Sequence, residues 1–424
     1  MITWGISSNS HNAALAVFSN DSLMFASQSE RFSRKKNDPY ICVELINHAY
    51  KYGEPELICW YEQPLKKKLR QIMAGQGPFQ DNFTKYFDCK HKFIDHHYSH
   101  ACAGYFTSKF QSSAILVIDG IGETTTMSIW IARGKNIKRL WRLKYPNSIG
   151  LWYSAMTQRC GFKPNEEEYL MMGLSAYGKG GDYVGKIFNE LIGMDFECKQ
   201  NMHRGIGDWQ PEACPEEIAA ASQTVYNTLF CNALSLTKRL TGSDNVVIMG
   251  GCALNCAANT HAYDFFKRVW IMPAPDDAGS AIGAVLAHKK VRIPFTPYLG
   301  YKILHQNTNA SIVEYLRYHK ICGLARGRAE FGPRALGARS LLADPTVHNI
   351  KDVVNTIKNR QSFRPFAPVV PIEFASKYFD MHDEMVESPF MQYTVKCKMP
   401  KLLPGVVHVD GTSRVQTVKK SDAP

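Results

Sequence analysis

Short apolar runs of strand length, separated by polar turns, fill the start of the chain and recur after residue 114. ITWGISS, NAALAVF and SLMFASQSER form the first set; AILVIDGIGE, TTMSIWIARG and IKRLWRLKY repeat the layout, and SIGLWYSAMTQRCG then reads as a helix. In each set the first run ends in a turn of small residues, Gly5-Ile6-Ser7-Ser8 in one and Asp119-Gly120-Ile121-Gly122 in the other. The repeat is one of pattern, not of identity. Further along, periodicity predicts a helix over 215–240, a buried strand over Asn245–Met249, a tight turn at Gly250-Gly251 and a helix over Ala253–His261. Asp276-Asp277-Ala278-Gly279 opens a helix of small residues, SAIGAVLAHKK. The stretch 292–301 carries two prolines and a glycine without periodicity, and predicts a linker.

The duplicated unit resembles the actin/hexokinase/sugar-kinase architecture, an α/β fold in which two lobes clasp a nucleotide. A strand that runs into Gly250 and Gly251 and then a helix presents free backbone N–H groups, which suits a phosphate or a ribose edge. Composition narrows the picture. A length of 424 residues, 45% hydrophobic and 21% charged, suits two or three domains and excludes a disordered chain or a coiled coil. The formal net charge of +12 favours anionic partners without choosing among nucleotide, nucleic acid and lipid surface. Residues 301–424 hold 18 Lys+Arg against 11 Asp+Glu, so more than half of the excess lies there. No segment reaches the ~18 unbroken apolar residues of a membrane span. The N-terminus lacks signal-peptide regions, and twelve cysteines without a CxxC pair fit a reducing cytoplasm. Cys252 and Cys256 read as part of a turn into a helix rather than a zinc clip.

IDHHYSHACAGYFTS supplies candidate metal ligands. His96 and His100 are one helical turn apart and share a face, so both can grip one ion, while His97 points elsewhere. Asp119 ends the first strand of the second set, and Asp277 lies in the turn before a helix, with Asp276 as its competitor. Two imidazoles and two carboxylates suit a borderline transition ion better than calcium. Iron heads the expectation, followed by manganese, zinc and magnesium.

Ten motifs appear in order. They are HNAALAV (11–17), SERFSRKKND (29–38), IDHHYSHACAGYFTS (94–108), VIDGIGE (117–123), NEEEYLMMGLSAYGK (165–179), GGCALN (250–255), PDDAGSAIGA (275–284), GRAEFGPRALGARSLLADP (327–345), IKNRQSFRPFAP (357–368) and HVDGTSRVQTV (408–418). Together they resemble the O-carbamoyltransferases of the nodulation-factor and aminoglycoside-antibiotic type over nearly the whole chain. The resemblance implies a metal-binding carbamoyl-transfer domain of two actin-like lobes over 1–291, a linker over 292–304 and a YrdC-like domain over 305–424. The second would form carbamoyl-adenylate from carbamoyl phosphate and ATP, and the first would pass the carbamoyl group to a hydroxyl. In that family the histidine pair and two aspartates hold a metal beside the nucleotide, at His96, His100, Asp119 and Asp277 here. His11 matches a histidine facing the transfer site, where an imidazole suits general-base work near neutral pH.

Polyanionic substrates need several fixed cations at close range. Arg328, Arg334, Arg339, Lys358, Arg360 and Arg364 supply them, interleaved with Gly, Pro, Phe and Leu, and Ser340 adds a neutral donor. His408, Asp410 and Arg414 line the same expected pocket. Gly250, Gly251 and Asn255 belong to the nucleotide site, and Tyr169 and Gly173 to the floor of the transfer site. The chain departs from the family in two respects. It stops six residues after HVDGTSRVQTV, where relatives continue, so the YrdC-like part is expected to lack its C-terminal end. Leu170 stands where relatives often carry a basic residue.

The competing readings are tRNA threonylcarbamoylation, opposed by the fused GRAEFGPRALGARS segment, and a non-catalytic binding module derived from the family. For the acceptor, a hydroxymethylated pyrimidine, such as 5-hydroxymethylcytosine in virus-modified DNA, suits a +12 chain better than a cationic sugar antibiotic. SERFSRKKND and PLKKKLRQ (64–71), with Lys36, Phe32, Trp60 and Tyr61, predict a basic surface bearing stacking residues. A small-molecule sugar or antibiotic hydroxyl is the alternative acceptor.

Overall fold

A computed structural model describes residues 1–73, 87–304 and 308–421. Two five-stranded sheets form its frame. The first holds β1 (Ile2–Ser7), β2 (Ala14–Ser19), β3 (Ser22–Gln28), β4 (Leu57–Trp60) and β5 (Lys90–Phe93), in the order β3-β2-β1-β4-β5. The second holds β6 (Ser112–Gly122), β7 (Thr125–Arg133), β8 (Asn136–Lys144), β9 (Asn245–Met249) and β10 (Arg268–Ile271), in the order β10-β9-β6-β7-β8. Each therefore runs 3-2-1-4-5, with the first three strands antiparallel and the last two added in parallel. The lobes repeat one topology, and the fold is the duplicated α/β architecture expected.

Chemistry explains the strand patterns. β1, β2 and β6 read as nearly continuous apolar runs because helices cover both faces. β8 alternates strictly between outward and inward residues, as suits an edge strand. Helices His96–Thr107 and Asp277–Lys289 lie in one core with side chains from both sheets, including Trp4, Ile6, Val117 and Met249. Small residues let the two helices meet almost backbone to backbone. A Cβ added at Gly283 would stand 1.9 Å from the Ser99 carbonyl oxygen. That approach brings Asp277 beside the histidines. Helix Pro215–Thr241, started by its proline and ended by left-handed Gly242, packs on the other side of the second sheet with helix Ile149–Arg159.

Two local expectations change. The helix expected over Ala253–His261 is broken into Gly251–Leu254, Cys256–Asn259 and Thr260–Asp264, because Asn255 leaves helical geometry and caps the next turn through Ala258 N. The stretch read as a linker becomes a strand at β11 (Tyr298–Ile303), which pairs with β13 (Gly327–Glu330). Beyond it, strands among the described residues pair in twos: β12 (Ile321–Ala325) with β14 (Arg339–Ala343), β15 (Val369–Pro371) with β18 (Gln416–Val418), and β16 (Thr394–Lys396) with β17 (Thr412–Arg414). Val370, Ala375, Phe379, Tyr393, Val395 and Val415 join the core of the second lobe. Residues 305–307, where the second expected domain starts, lie outside the described residues.

Candidate functional site

Helix His96–Thr107 opens on Asp95, whose side chain accepts from Tyr98 N, and its first turns carry the histidine pair. His96 Nε2 stands 2.9 Å from Asp119 Oδ2 and 3.3 Å from Asp277 Oδ1, and His100 Nε2 is 3.3 Å from the same Asp277 oxygen. The two Nε2 atoms are 3.2 Å apart. All four residues are buried, and their ligand atoms lie within 4.8 Å of one another. Ions bound at ~2.1 Å hold neighbouring ligands about 3.0–3.4 Å apart, so the set fits one divalent ion. Burial opposes charge on His96, but Asp277 and Asp119 outweigh it and hold the imidazole well above its ordinary range. Burial likewise opposes ionisation of Asp277, yet His96 and His100 hold it well below the usual carboxylate range. His97 turns away and bonds Ser128 Oγ through Nδ1 at 2.7 Å.

A further carboxylate frames the cluster that sequence reasoning passed over. Glu123 is buried and accepts from Gln63 N at 2.8 Å and His96 N at 3.1 Å, which ties the histidine helix to both lobes. Burial and Asp95 raise it to about 7. Gly251 N donates to Asp119 Oδ1 at 3.1 Å, so the glycine turn does abut the cluster. Gly250 has φ +92, and a Cβ there would meet the Ile118 carbonyl oxygen at 2.1 Å, which admits only glycine. Asn255, expected at the nucleotide, has its side chain tied into a two-way amide pair with Gln223 at 3.1 Å each. His11 sits half-buried in the β1–β2 turn, within electrostatic reach of Asp276 and Asp277. Asp276 is not part of the cluster; its Oδ2 accepts from Asn12 Nδ2 at 3.0 Å. Burial and Asp277 raise it to about 6.

The expected cation group separates into two. Arg334, Arg360, Arg364 and Arg414 line one pocket, with Tyr169, Gly173, Cys256, Phe363, Phe366, His408 and Asp410. None of these four arginines makes an ion pair among the described residues. Burial and Arg414 lower Arg334 to about 9, and burial and Arg364 lower Arg360 to about 10. Arg360 lies over Phe366 at 4.3 Å and Arg364 over Tyr169 at 4.8 Å. His408 Nε2 donates to the Gly173 carbonyl at 2.8 Å. Unneutralised guanidinium groups at such range favour a polyanion between them. Lys358 lies within electrostatic reach of Arg360 and Arg364 but does not line the pocket.

Arg328 and Arg339 are used differently. Arg328 donates to the carbonyls of Met24, Leu299 and Gly300, and Arg339 to those of Tyr301, Arg326, Gly327 and Ala338. These bonds tie the two side chains to backbone and fix strands, and Arg339 Nε is buried without a hydrogen-bond partner among the described residues. Ser340 Oγ accepts from Gly337 N at 3.0 Å, within the same turn.

The basic stacking surface is also redrawn. Trp60 and Tyr61 are each only 1% exposed, so neither can stack on a base. Lys67 is buried against Glu62 at 2.7 Å. Lys36 reaches across to Tyr169 and donates to its hydroxyl at 2.7 Å, which brings the 34–38 loop to the arginine pocket. Phe32 packs against His48 and Tyr301. Leu170 is buried, which explains an apolar residue there. No described helix is long and apolar enough to cross a membrane.

Comparisons with known proteins place the chain in a family. A family profile described as Carbamoyltransferase N-terminus matches residues 60–286, and one described as Carbamoyltransferase C-terminus matches residues 313–424. Protein sll1178 of Synechocystis sp. is 31% identical, over 99% of this chain and 87% of its own length. The nodulation protein NolNO of Sinorhizobium fredii is 28% identical, over 97% of this chain and 70% of its own. Among solved structures, full-length HypF in its phosphate- and nucleotide-bound form matches 68% of this chain and 55% of that chain at 13% identity and a TM-score of 0.38. With two profiles in chain order and a relative matched along almost the whole length, the chain belongs to the carbamoyltransferase family.

Proposed function

We propose that the chain is an ATP-dependent O-carbamoyltransferase. Carbamoyl phosphate, ATP and water would give carbamoyl-adenylate, pyrophosphate and phosphate, and the carbamoyl group would then pass to an acceptor hydroxyl. The observation that carries this reading is the pairing of a four-arginine pocket with a buried imidazole–carboxylate cluster in one carbamoyltransferase-family chain. Arg334, Arg360, Arg364 and Arg414 bind the phosphates of the adenylation step, and Lys358 adds charge at its edge. His96, His100, Asp119 and Asp277 would hold a divalent ion that polarises a carbamoyl carbonyl or anchors the adenylate phosphate. Gly250 and Gly251 border the nucleotide. In the transfer step the acceptor oxygen attacks the carbamoyl carbon, AMP leaves, and His11 takes the hydroxyl proton. The intact clusters argue against a non-catalytic module.

Pyrophosphate release is the test. Metal-supplemented protein with ATP and carbamoyl phosphate should release it, and Arg334→Ala and Arg364→Ala should each lose most of the rate. Silence from the wild-type chain under those conditions would sink the proposal.

A specific surface favours a nucleic-acid acceptor, with 5-hydroxymethylcytosine in DNA as the candidate base. Arg133, Lys135, Lys138, Arg139, Arg142 and Lys144 lie within twelve residues that contain no acid, along the edge strand β8 and its turn. None of them forms an ion pair among the described residues. Such a row suits phosphates. Affinity for duplex DNA should fall steeply with salt, and Lys138→Glu with Arg142→Glu should flatten that slope. Mass spectrometry of treated DNA against treated sugars then identifies the carbamoylated acceptor; a product only on sugars would reject the DNA reading.

A further inference from the structure

Asp276 occupies the N-cap position of helix Asp277–Lys289, and its backbone carbonyl accepts from Gly279 N at 3.0 Å, yet its side chain makes no capping hydrogen bond. An aspartate in that place ordinarily satisfies a backbone N–H of the first turn, for roughly 1 kcal/mol of helix stability. Here one carboxylate oxygen accepts from Asn12 Nδ2 at 3.0 Å, across 264 positions of sequence, and the other is buried without a hydrogen-bond partner among the described residues. The side chain is only 2% exposed. A carboxylate that gives up its local cap and is buried for one distant bond is placed at an energetic loss, and the distant bond must account for it.

Asn12 sits in the left-handed region, with φ +55, in the turn between β1 and β2. It follows His11 directly, as Asp277 follows Asp276. The bond thus joins the two residues adjacent to the expected base and to an expected metal ligand. A carboxylate can only accept, so the amide must present its nitrogen, and the pair has a defined polarity.

We infer that Asp276 is a positioning residue: through Asn12 it fixes the His11 turn against the helix that carries Asp277, so that base and cluster address the same carbamoyl group. This rests on the transfer reading above. Among the described residues the bond completes the shortest covalent-plus-hydrogen-bond path between His11 and Asp277, and it crosses from the β1–β2 turn to the helix packed between the lobes.

Four variants of the full chain test it: Asp276→Ala, Asp276→Asn, Asn12→Asp and the exchange pair Asn12→Asp with Asp276→Asn. Asparagine at 276 keeps an acceptor, Asn12→Asp sets two acceptors face to face, and the exchange pair restores the bond with reversed polarity. Backbone hydrogen exchange over residues 8–13, measured without substrates, should rise about tenfold in Asp276→Ala and Asn12→Asp and stay low in the other two. Turnover should fall about 10²-fold in the same two variants, with KM for carbamoyl phosphate and bound-metal stoichiometry little changed. The exchange pair should recover most of that turnover. Unchanged exchange in Asp276→Ala, or an exchange pair no better than Asn12→Asp, would overturn the inference. If the exchange pattern holds while the wild-type chain forms no carbamoyl product, the tether stands and the transfer reading falls.

Discussion

Two imidazole nitrogens 3.2 Å apart in a buried site repel each other whenever both present lone pairs, and a cation between them removes that cost. His100, fully buried, has no solvent to turn to. His100→Ala and Asp119→Asn should therefore each weaken divalent-ion affinity by about 100-fold or more, read by competition with a chelating indicator, while Asp276→Asn should not. An unchanged affinity in His100→Ala would remove the metal from the site. The meeting of these side chains was legible in part, because helical periodicity puts His96 and His100 on one face and a strand end is where Asp119 points inward, while spacing left Asp276 and Asp277 as alternatives. The arginines were not legible in that way. Arg328, Arg334 and Arg339 share one motif, and only the fold decides which guanidinium meets backbone carbonyls and which meets other cations. Asp276 was visible as half of an Asp-Asp pair, but its bond to Asn12 depends on a contact that no local spacing encodes.

Helix Asp277–Lys289 delivers its aspartate only because it can lie directly on helix His96–Thr107. Its glycines carry that packing, and they are not equivalent to glycines elsewhere. Gly283→Ala would drive a Cβ to 1.9 Å from the Ser99 oxygen, with backbone on both sides and nothing flexible to yield. It should cost about 1–3 kcal/mol or more by thermal or urea unfolding, and it should lower metal affinity with it, because Ser99 precedes His100. Gly185, in helix Gly181–Glu190, has open space around its Cβ position, and Gly185→Ala should instead stabilise by about 0.5–1 kcal/mol. Equal effects of the two substitutions would refute the close-packed account. The duplication of the lobes followed from the repeated run pattern, whereas the sheet order and the broken helix after Leu254 did not. Asn255 can continue a helix or cap one, and its partner Gln223 lies 32 positions away.

Charge ties the scales of the molecule together, since the arginine pocket joins motif residues 334–414 to Tyr169 and Gly173 of the second lobe. Arg334 is the most constrained of its cations. Its residue is only partly enclosed, but the guanidinium lies deep enough that burial, then Arg414, bring it to about 9, well below the ordinary guanidinium range. A base whose affinity for protons is lower in the folded chain destabilises that chain while charged. Below about pH 9 the penalty is complete, and it is relieved as pH rises above about 9, where the unfolded chain binds the extra proton. Arg334→Met should therefore be more stable than wild type at pH 7.5 in anion-free buffer, and its advantage should shrink toward pH 10. Pyrophosphate should reverse the ranking at pH 7.5. At about 100 times its Kd it should stabilise the wild type by about 2.7 kcal/mol, a shift of a few degrees in Tm, and leave Arg334→Met nearly unmoved. A wild-type Tm indifferent to pyrophosphate, or a variant that responds equally, would mean that the pocket is not an anion site, and that these guanidinium groups are held together by something other than their substrate.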